Sequence, residues 1–223
     1  MDFNGTNQYF SEASSLLGNE PIDLFIFAKS NDTASNQTLI SLGRNGGAGL
    51  FRTTLHGNVG GDPVRAFKQD NSGGAAQADS SAGYSAGVWA KTWGSFISNT
   101  SRAAGINGGN KGTNATSVAD PTPDFISIGV TRVNSLSLYF NGSLAHGYVF
   151  DVNLTDEQFA ALSLGISALC IIPIANIRAW YTLMMNGQNS MANGYPDLVA
   201  TNSPTQGDMP AVFLPSIGGR ISI

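Results

Sequence analysis

The chain has 223 residues, of which 42% are hydrophobic and only 12% charged, and its formal net charge is −4. So few charges exclude a bundle of helices with charged outer faces, and an acidic balance without a Lys/Arg cluster excludes the electrostatic footprint of a nucleic-acid-binding protein. The 27 glycines, set among Asn, Ser and Thr, predict short strands joined by turns within a single domain.

The opening "MDFNGTNQYF" has neither the basic nor the apolar region of a secretory leader, so a first strand is expected there and folding in a cytoplasm. Asn-x-Ser/Thr triplets at Asn4, Asn36, Asn114 and Asn153 then carry no weight. Strands follow at 23–29, 38–43, 49–55 and 63–69, each bounded by Gly, Asn or Asp. The stretch 71–87 is small and polar and reads as an exposed loop holding an exposed Tyr84. Apolar alternation resumes at 88–98, where Trp89 and Trp93 face either core or groove, with core favoured for Trp89. The segment 102–109 reads as a strand entering a tight turn at Asn107-Gly108, and 110–123 as a second loop. In 124–130, Ile126, Ile128 and Val130 share one face of a strand.

Leu136, Leu138 and Phe140 alternate toward Asn141-Gly142, a dipeptide suited to a tight turn. Beyond it, Leu144, His146, Tyr148 and Phe150 fall on one face by period two. Thr155 then reads as a helix N-cap, with Gln158 completing a capping box and Asp156 and Glu157 in the first turn. Phe159 and Leu162 form the helix's apolar stripe, and Gly165 ends it. The apolar stretch 164–177 is too short for a membrane span and contains Pro173, so no membrane insertion is expected. It holds the single cysteine, Cys170, expected to be buried and inert.

In this order "MDFNGTNQYF", "PIDLFIFAKS", "TLISLG", "GVWAKTWGSF", "INGG", "DFISIGV" and "YFNGSLAHGYVFDVNLTDEQFAALSLG" resemble the laminin-G-like/concanavalin A-like lectin–glucanase superfamily over roughly residues 1–180. The resemblance implies an all-β fold: a two-sheet antiparallel jelly-roll sandwich (concanavalin A-like) with one short helix. Residues 1–175 would form the sandwich, and 176–223 a C-terminal extension that completes it and carries assembly contacts. That extension resembles those of tailed-bacteriophage versions, although "AWYTLMM" reverses the aromatic order at Trp180-Tyr181 and lacks the proline of that pattern.

Enzymes in this superfamily place paired carboxylates on one strand beside the scissile bond. Here Glu12, Glu20 and Glu157 are isolated. "GYSAG" around Ser85 matches a nucleophile elbow, but the elbow requires an apolar strand before it and a helix after it. Its base would have to be His56, expected to be exposed, or His146, expected to be packed among aromatics. Asp151, Asn153 and Asp156 could offer oxygens to calcium, but the spacing is not an EF-hand, and helix capping accounts for them. No catalytic residue, cofactor or metal is therefore expected, and no ligand-binding residue is assigned.

The expected function is a non-enzymatic phage virion surface protein, such as a capsid decoration protein. Its partners would be the major capsid protein or other virion proteins, sister copies in a homo-oligomer, and host-surface glycans. A carbohydrate-binding adsorption module of a tail or fibre is the alternative, and a glycoside hydrolase relative the third reading. Trp180, Tyr181, Met184 and Met185 are expected to pack on the domain. Ile221 and Ile223, after two glycines, would form a strand that adds to a neighbour's sheet.

Overall fold

The computed structural model describes residues 1–14, 19–133, 135–183, 197–207 and 210. In chain order its strands are β1 (Asp2–Asn4), β2 (Tyr9–Ala13), β3 (Ile22–Ser30), β4 (Asn36–Gly43), β5 (Leu50–His56), β6 (Pro63–Gln69), β7 (Ala75–Gly83), β8 (Ala90–Ser98), β9 (Ser101–Ile106), β10 (Gly109–Asn114), β11 (Phe125–Ile128), β12 (Thr131–Arg132), β13 (Leu136–Ser137), β14 (Asn141–Phe150), β15 (Ile177–Tyr181) and β16 (Val199–Thr201). The first sheet runs β1-β14-β3-β8-β9-β10, with β15 also paired to β14; the second runs β16-β2-β11-β4-β5-β6-β7. Every ladder is antiparallel, and β12 and β13 form a small ribbon of their own. The all-β jelly-roll sandwich with one short helix is thus the observed architecture.

The inter-sheet core explains the alternation. Leu24, Ile26 and Phe96 of the first sheet meet Ile40, Leu42, Phe51 and Val64 of the second in one buried cluster. Strand β3 looks continuously apolar because both its faces are covered: Phe25 and Phe27 point the other way, into a second cluster with Trp93, Tyr148, Phe150, Phe159 and Leu162. That outer cluster lies beneath helix α1 (Asp156–Ser163). Thr155 caps the helix, Gln158 closes the capping box, and Phe159 and Leu162 are buried, as the sequence predicts. Replacing Thr155 by Ala should cost about 1 kcal/mol, read as a lowered urea midpoint with an unchanged slope.

Several local expectations are corrected. The supposed loop 71–87 contains β7, which pairs with β6 along "AAQADSSAG". Its inward residues are small because β10 comes close at the open side of the sandwich: a Cβ on Gly112 would collide with the Asp79 carbonyl. Tyr84, at the end of β7, is buried in the inter-sheet core and not exposed. The start of the second loop is likewise strand β10, the returning arm of the Asn107-Gly108 hairpin.

Asn141-Gly142 does not turn the chain. It begins β14, where Gly142 pairs with Phe3 on one side and Ser30 on the other. The preceding alternation fails as well, since Leu136 is exposed and Leu138 has a φ of +54°. Within β14, His146 and Gly147 together face the single residue Ile26, forming a β-bulge in which His146 has a φ of +49°. The bulge reverses the faces. Leu144 points into the inter-sheet core, whereas Tyr148 and Phe150 point to the outer cluster beneath the helix.

Cys170 is exposed, not buried, because it ends a short helical turn whose Ala168 side faces inward. Strand β15 pairs with β14 in the first sheet, and β16 pairs with β2 in the second. Thr205 exchanges two backbone hydrogen bonds with Asp2, at 2.6 and 3.1 Å. Trp180 and Tyr181 are buried; Met184, Met185, Ile221 and Ile223 lie outside the described residues.

Candidate functional site

The residues singled out for chemistry are scattered. Ser85 is exposed in the turn between β7 and β8, so the elbow has a strand after it and no helix, and no hydrogen bond joins Ser85 to His56 or His146. Of the three glutamates, Glu12 bonds its neighbour's amide, Glu20 pairs with Lys68, and Glu157 lies in the first turn of α1. The three residues weighed as oxygen donors for calcium each contact a neighbouring side chain. Asp151 pairs with Arg178, Asp156 with Lys111 at 2.8 Å, and Asn153 accepts from Ser95 at 3.4 Å. Among the described residues no group of three His, Cys, Asp or Glu could hold a metal ion.

His146 is buried between Phe27 and Trp180, with ring centroids at 5.8 and 6.4 Å, and its Nδ1 has no hydrogen-bond partner. Burial, and secondarily the N-terminal ammonium, push it down from 6.5 to about 4. A histidine kept neutral in the fold binds fewer protons than the unfolded chain, so stability is full above about pH 6.5 and falls as the pH drops toward 4. That fall amounts to about 3 kcal/mol. Asp23 and Glu20, both raised to about 7 chiefly by burial, act with the opposite sign in the same window. The comparison is therefore with His146→Asn, in which the acid-induced loss should shrink by that amount in denaturant titrations at pH 7 and pH 4. Equal losses in both proteins would refute a buried neutral His146.

Among the described residues two surfaces could receive a ligand. The first is a recess of about 210 Å³ at the start of α1, between Trp93, Ser95, Lys111 and Asp156. Within it Lys111 holds Asp156 and the buried Asp23 accepts from the Leu154 amide through Oδ2 at 2.7 Å, while Asp23 Oδ1 and the Trp93 indole N–H have no hydrogen-bond partner. The Asp23–Leu154 bond anchors the segment entering the helix to the sheet. The tryptophan expectation is corrected here. Trp93 is the core residue, 2% exposed, while Trp89 lies half-exposed with the Lys29 ammonium 5.5 Å from its ring.

The second surface is the outer face of the second sheet. Because Phe51, Val64 and Ala66 point inward, Arg52, Arg65 and Phe67 point outward, and register aligns Ser127, Ser41, Arg52, Phe67 and Gln77 in one row across five strands. The Arg52 guanidinium lies 4.5 Å from the Phe67 ring centre. It donates through Nη1 to Thr131 Oγ1 at 3.1 Å; its Nε is buried without a partner, and so is the hydroxyl of the neighbouring Ser41. Burial, then the nearby Arg65, lower Arg52 to about 10, so it remains a cation at neutral pH.

Arg65 is clamped by both oxygens of Asp79, at 2.6 and 2.7 Å, beside a cleft of about 340 Å³ formed with the β5–β6 loop. Arg132, on the ribbon that crosses β4, lies 3.9 Å from the Phe125 ring centre and donates to Ser11 at 2.6 Å. It lines a cleft of about 220 Å³ with Tyr9 and Asn45 near the β4–β5 turn. His56 ends the same outward row of β5, half-buried and lowered by burial and by Arg65. Single-residue reading passed over these arginines; alternation along 50–56 and 63–69 carried a signal, but only the register joins them into one face.

No protein-family model matches the sequence, and no curated protein matches it. Solved structures resemble the fold. A heptameric SAP-like pentraxin from Limulus polyphemus superimposes with a TM-score of 0.61 at 14% identity, over 77% of this chain and 83% of that one. The CBM40 of a Ruminococcus gnavus sialidase, bound to α2,3 sialyllactose, gives 0.56 at 17% identity over 73% and 95% of the two chains. Domains LG4-5 of the mouse laminin α1 chain give 0.52 at 15% identity, over 66% of this chain and 40% of that one. The fold is therefore that of the jelly-roll lectin- and glucanase-like domains which the sequence resembles.

Proposed function

We propose that the chain is a non-catalytic carbohydrate-binding module that receives glycans on the outer face of its second sheet. The Arg52–Phe67–Gln77 row carries this reading: a half-exposed ring beside a guanidinium and an exposed amide offers an apolar platform flanked by donors. Sugar rings, apolar on one face and hydroxylated at the edges, suit such a surface. The sialyllactose-bound structural neighbour supports the reading at the level of fold.

Binding to an array of immobilised glycans tests it. Phe67→Ala should weaken capture at least tenfold with an unchanged melting temperature, and a chain that captures no glycan would refute the proposal. The non-catalytic part is checked with ester and glycoside substrates. Turnover that disappears in Ser85→Ala would overturn it.

The finer placement on a virion, assembled in a host cytoplasm with the major capsid protein or sister copies as partners, is supported by the sequence resemblance of the C-terminal segment. None of the structural neighbours named above is a phage protein. A protein inventory of purified particles tests this placement separately from glycan capture, and absence from the particles would end it.

A further inference from the structure

We propose that the glycan is bound end-on: its terminal sugar enters the cleft beside Arg65 and Asp79 and is held there by two adjacent free hydroxyls, while the next unit lies on Phe67. This rests on the carbohydrate-binding reading of the same face.

The cleft has fixed walls. Pro63 pairs with Gly83 and Arg65 with Asp79, so residues 80–82 of β7 stand opposite Val64 alone in a bulge. The bulge is held in shape by Ser80. Its hydroxyl accepts from the Val64 amide at 2.9 Å and donates to the Ala82 carbonyl at 2.6 Å. The other wall is the β5–β6 loop, tied down where Asn58 donates to the Thr33 carbonyl at 2.8 Å and Asp62 accepts from the Tyr84 amide at 3.1 Å. Loop and strand meet at Gly83, where a Cβ would strike the Gly61 carbonyl, and that contact closes one end of the cleft of about 340 Å³. Walls already fixed lose little freedom when a ligand arrives.

Unlike the buried Nε of Arg52, the polar groups here reach solvent. The side chains of Arg65 and Asp79 are 15% and 36% exposed, and Ser81 is exposed at the rim. Arg65 gives one hydrogen bond to each Asp79 oxygen, through Nε and Nη2. Each carboxylate oxygen keeps a further lone pair, and Nη1 is left to donate. Acceptors and donors therefore stand side by side with their charges cancelled. Adjacent hydroxyls, each both donor and acceptor, answer such a pair, whereas a ligand carboxylate would meet Asp79 and a ligand cation Arg65. Val59, 40% exposed, adds an apolar lip for the C–H face of the ring.

The direction follows from β6. Phe67 and Arg65 lie on one face of that strand, about 7 Å apart, a step comparable with one unit of a glycan chain. The closed end at Gly83 lies beyond Arg65, on the side away from Phe67. A chain that covers Phe67 must end in the cleft, because an internal unit would need an exit there.

The test extends the glycan array so that each oligosaccharide, lactose, maltotriose and mannobiose among them, is printed beside a copy per-O-methylated on its terminal non-reducing unit. At least one unmodified chain should be captured, and its methylated copy at least tenfold less. Asp79→Asn, which still accepts from Arg65 but gives up a carboxylate oxygen, should lose capture to a similar degree. Should that variant fail to fold, Ser81→Phe decides, since it fills the cleft from an exposed rim position and leaves the ion pair intact. It should abolish capture at an unchanged melting temperature. Added salt should change capture less than twofold, because the pair presents no net charge; a tenfold loss would mean that a charged ligand group is recognised and would overturn the diol. If methylated copies bind as well as their parents, or if Ser81→Phe captures like the wild type, the end-on inference is wrong while the Phe67 reading stands. If no chain is captured at all, both fall.

Discussion

Replacing Lys68 by Ala is expected to destabilise the protein by about 3–5 kcal/mol, the loss that follows when one partner of a buried ionic cluster is removed. Lys68 occupies an inward position of β6 and its side chain is fully buried. The ammonium lies 2.9 Å from the Glu20 carboxylate and 2.8 Å from that of Asp120, and donates to Asn99 at 3.0 Å. It thereby joins the entry to β3, strand β6, the β8–β9 turn and the segment before β11. Arg102 reinforces the same end of the sandwich, donating to Asn114 and to the carbonyls of Asn99 and Thr116.

Without Lys68 two carboxylates would face each other in a buried site. Burial, and hydrogen bonding and repulsion from Asp120 against the opposing pull of Lys68, already raise Glu20 to about 7. A raised carboxyl contributes stability that is full below about pH 4 and lost as the pH climbs to about 7. Removing the ammonium raises Glu20 further, so the deficit of Lys68→Ala should be larger at pH 8 than at pH 5. Urea unfolding at both values measures it. A loss below 1 kcal/mol, equal at the two pH values, would show that the cluster does not hold the sandwich end. The double change Lys68→Met with Glu20→Gln, which leaves neither charge of the pair behind, should recover much of the loss.

What the sequence reveals and conceals follows from how far each signal reaches. The capping box at Thr155–Gln158 is complete within four residues, so its chemistry is readable in place. Strands β3, β4, β5 and β6 are readable because their apolar residues repeat locally. Strand β7 is hidden because its small inward residues answer to the distant backbone of β10, which no window of nearby residues contains. The bulge at His146 is hidden for a related reason. Leu144, His146, Tyr148 and Phe150 alternate without fault on paper, and only pairing with β3 inserts the extra residue that sends Tyr148 to the opposite face.

The candidate site is harder still. Arg52, Phe67 and Gln77 are ordinary members of three separate strands, and only the register brings them into one row of the assembled face. The two outer faces do differ legibly in one respect. Strands β3, β8 and β14 place Phe25, Phe27, Trp93, Tyr148 and Phe150 on the outside, where a covering helix is needed. Strands β5 to β7 put Arg, Gln and Asp there, suited to water or a polar ligand.

Trp93→Ala should cost about 3–5 kcal/mol, and the reason can be separated from mere loss of apolar bulk. The indole stacks on Phe159 of α1 with ring centroids 4.2 Å apart and planes 9° from parallel, so it is the main tie between helix and sheet. Its other side is defined by Gly105, its register partner on β9: a Cβ at 105 would fall inside the indole's contact distance. Gly105→Ala alone should therefore destabilise by about 1–3 kcal/mol, by displacing the ring from Phe159. With Trp93→Leu already in place the collision is removed, and the same Gly105→Ala change should cost little. The two effects should then fall short of adding by about 1–2 kcal/mol in a double-mutant cycle measured by urea unfolding, because one ring mediates both. Near-ultraviolet circular dichroism supplies a second measurement, since displacement of the indole by Gly105→Ala should diminish the aromatic signal while the far-ultraviolet β spectrum persists. If the two substitutions add to within 0.5 kcal/mol, the bare position at 105 does not exist to seat the tryptophan, and the helix is held by its remaining contacts, Leu162 and the Lys111–Asp156 pair.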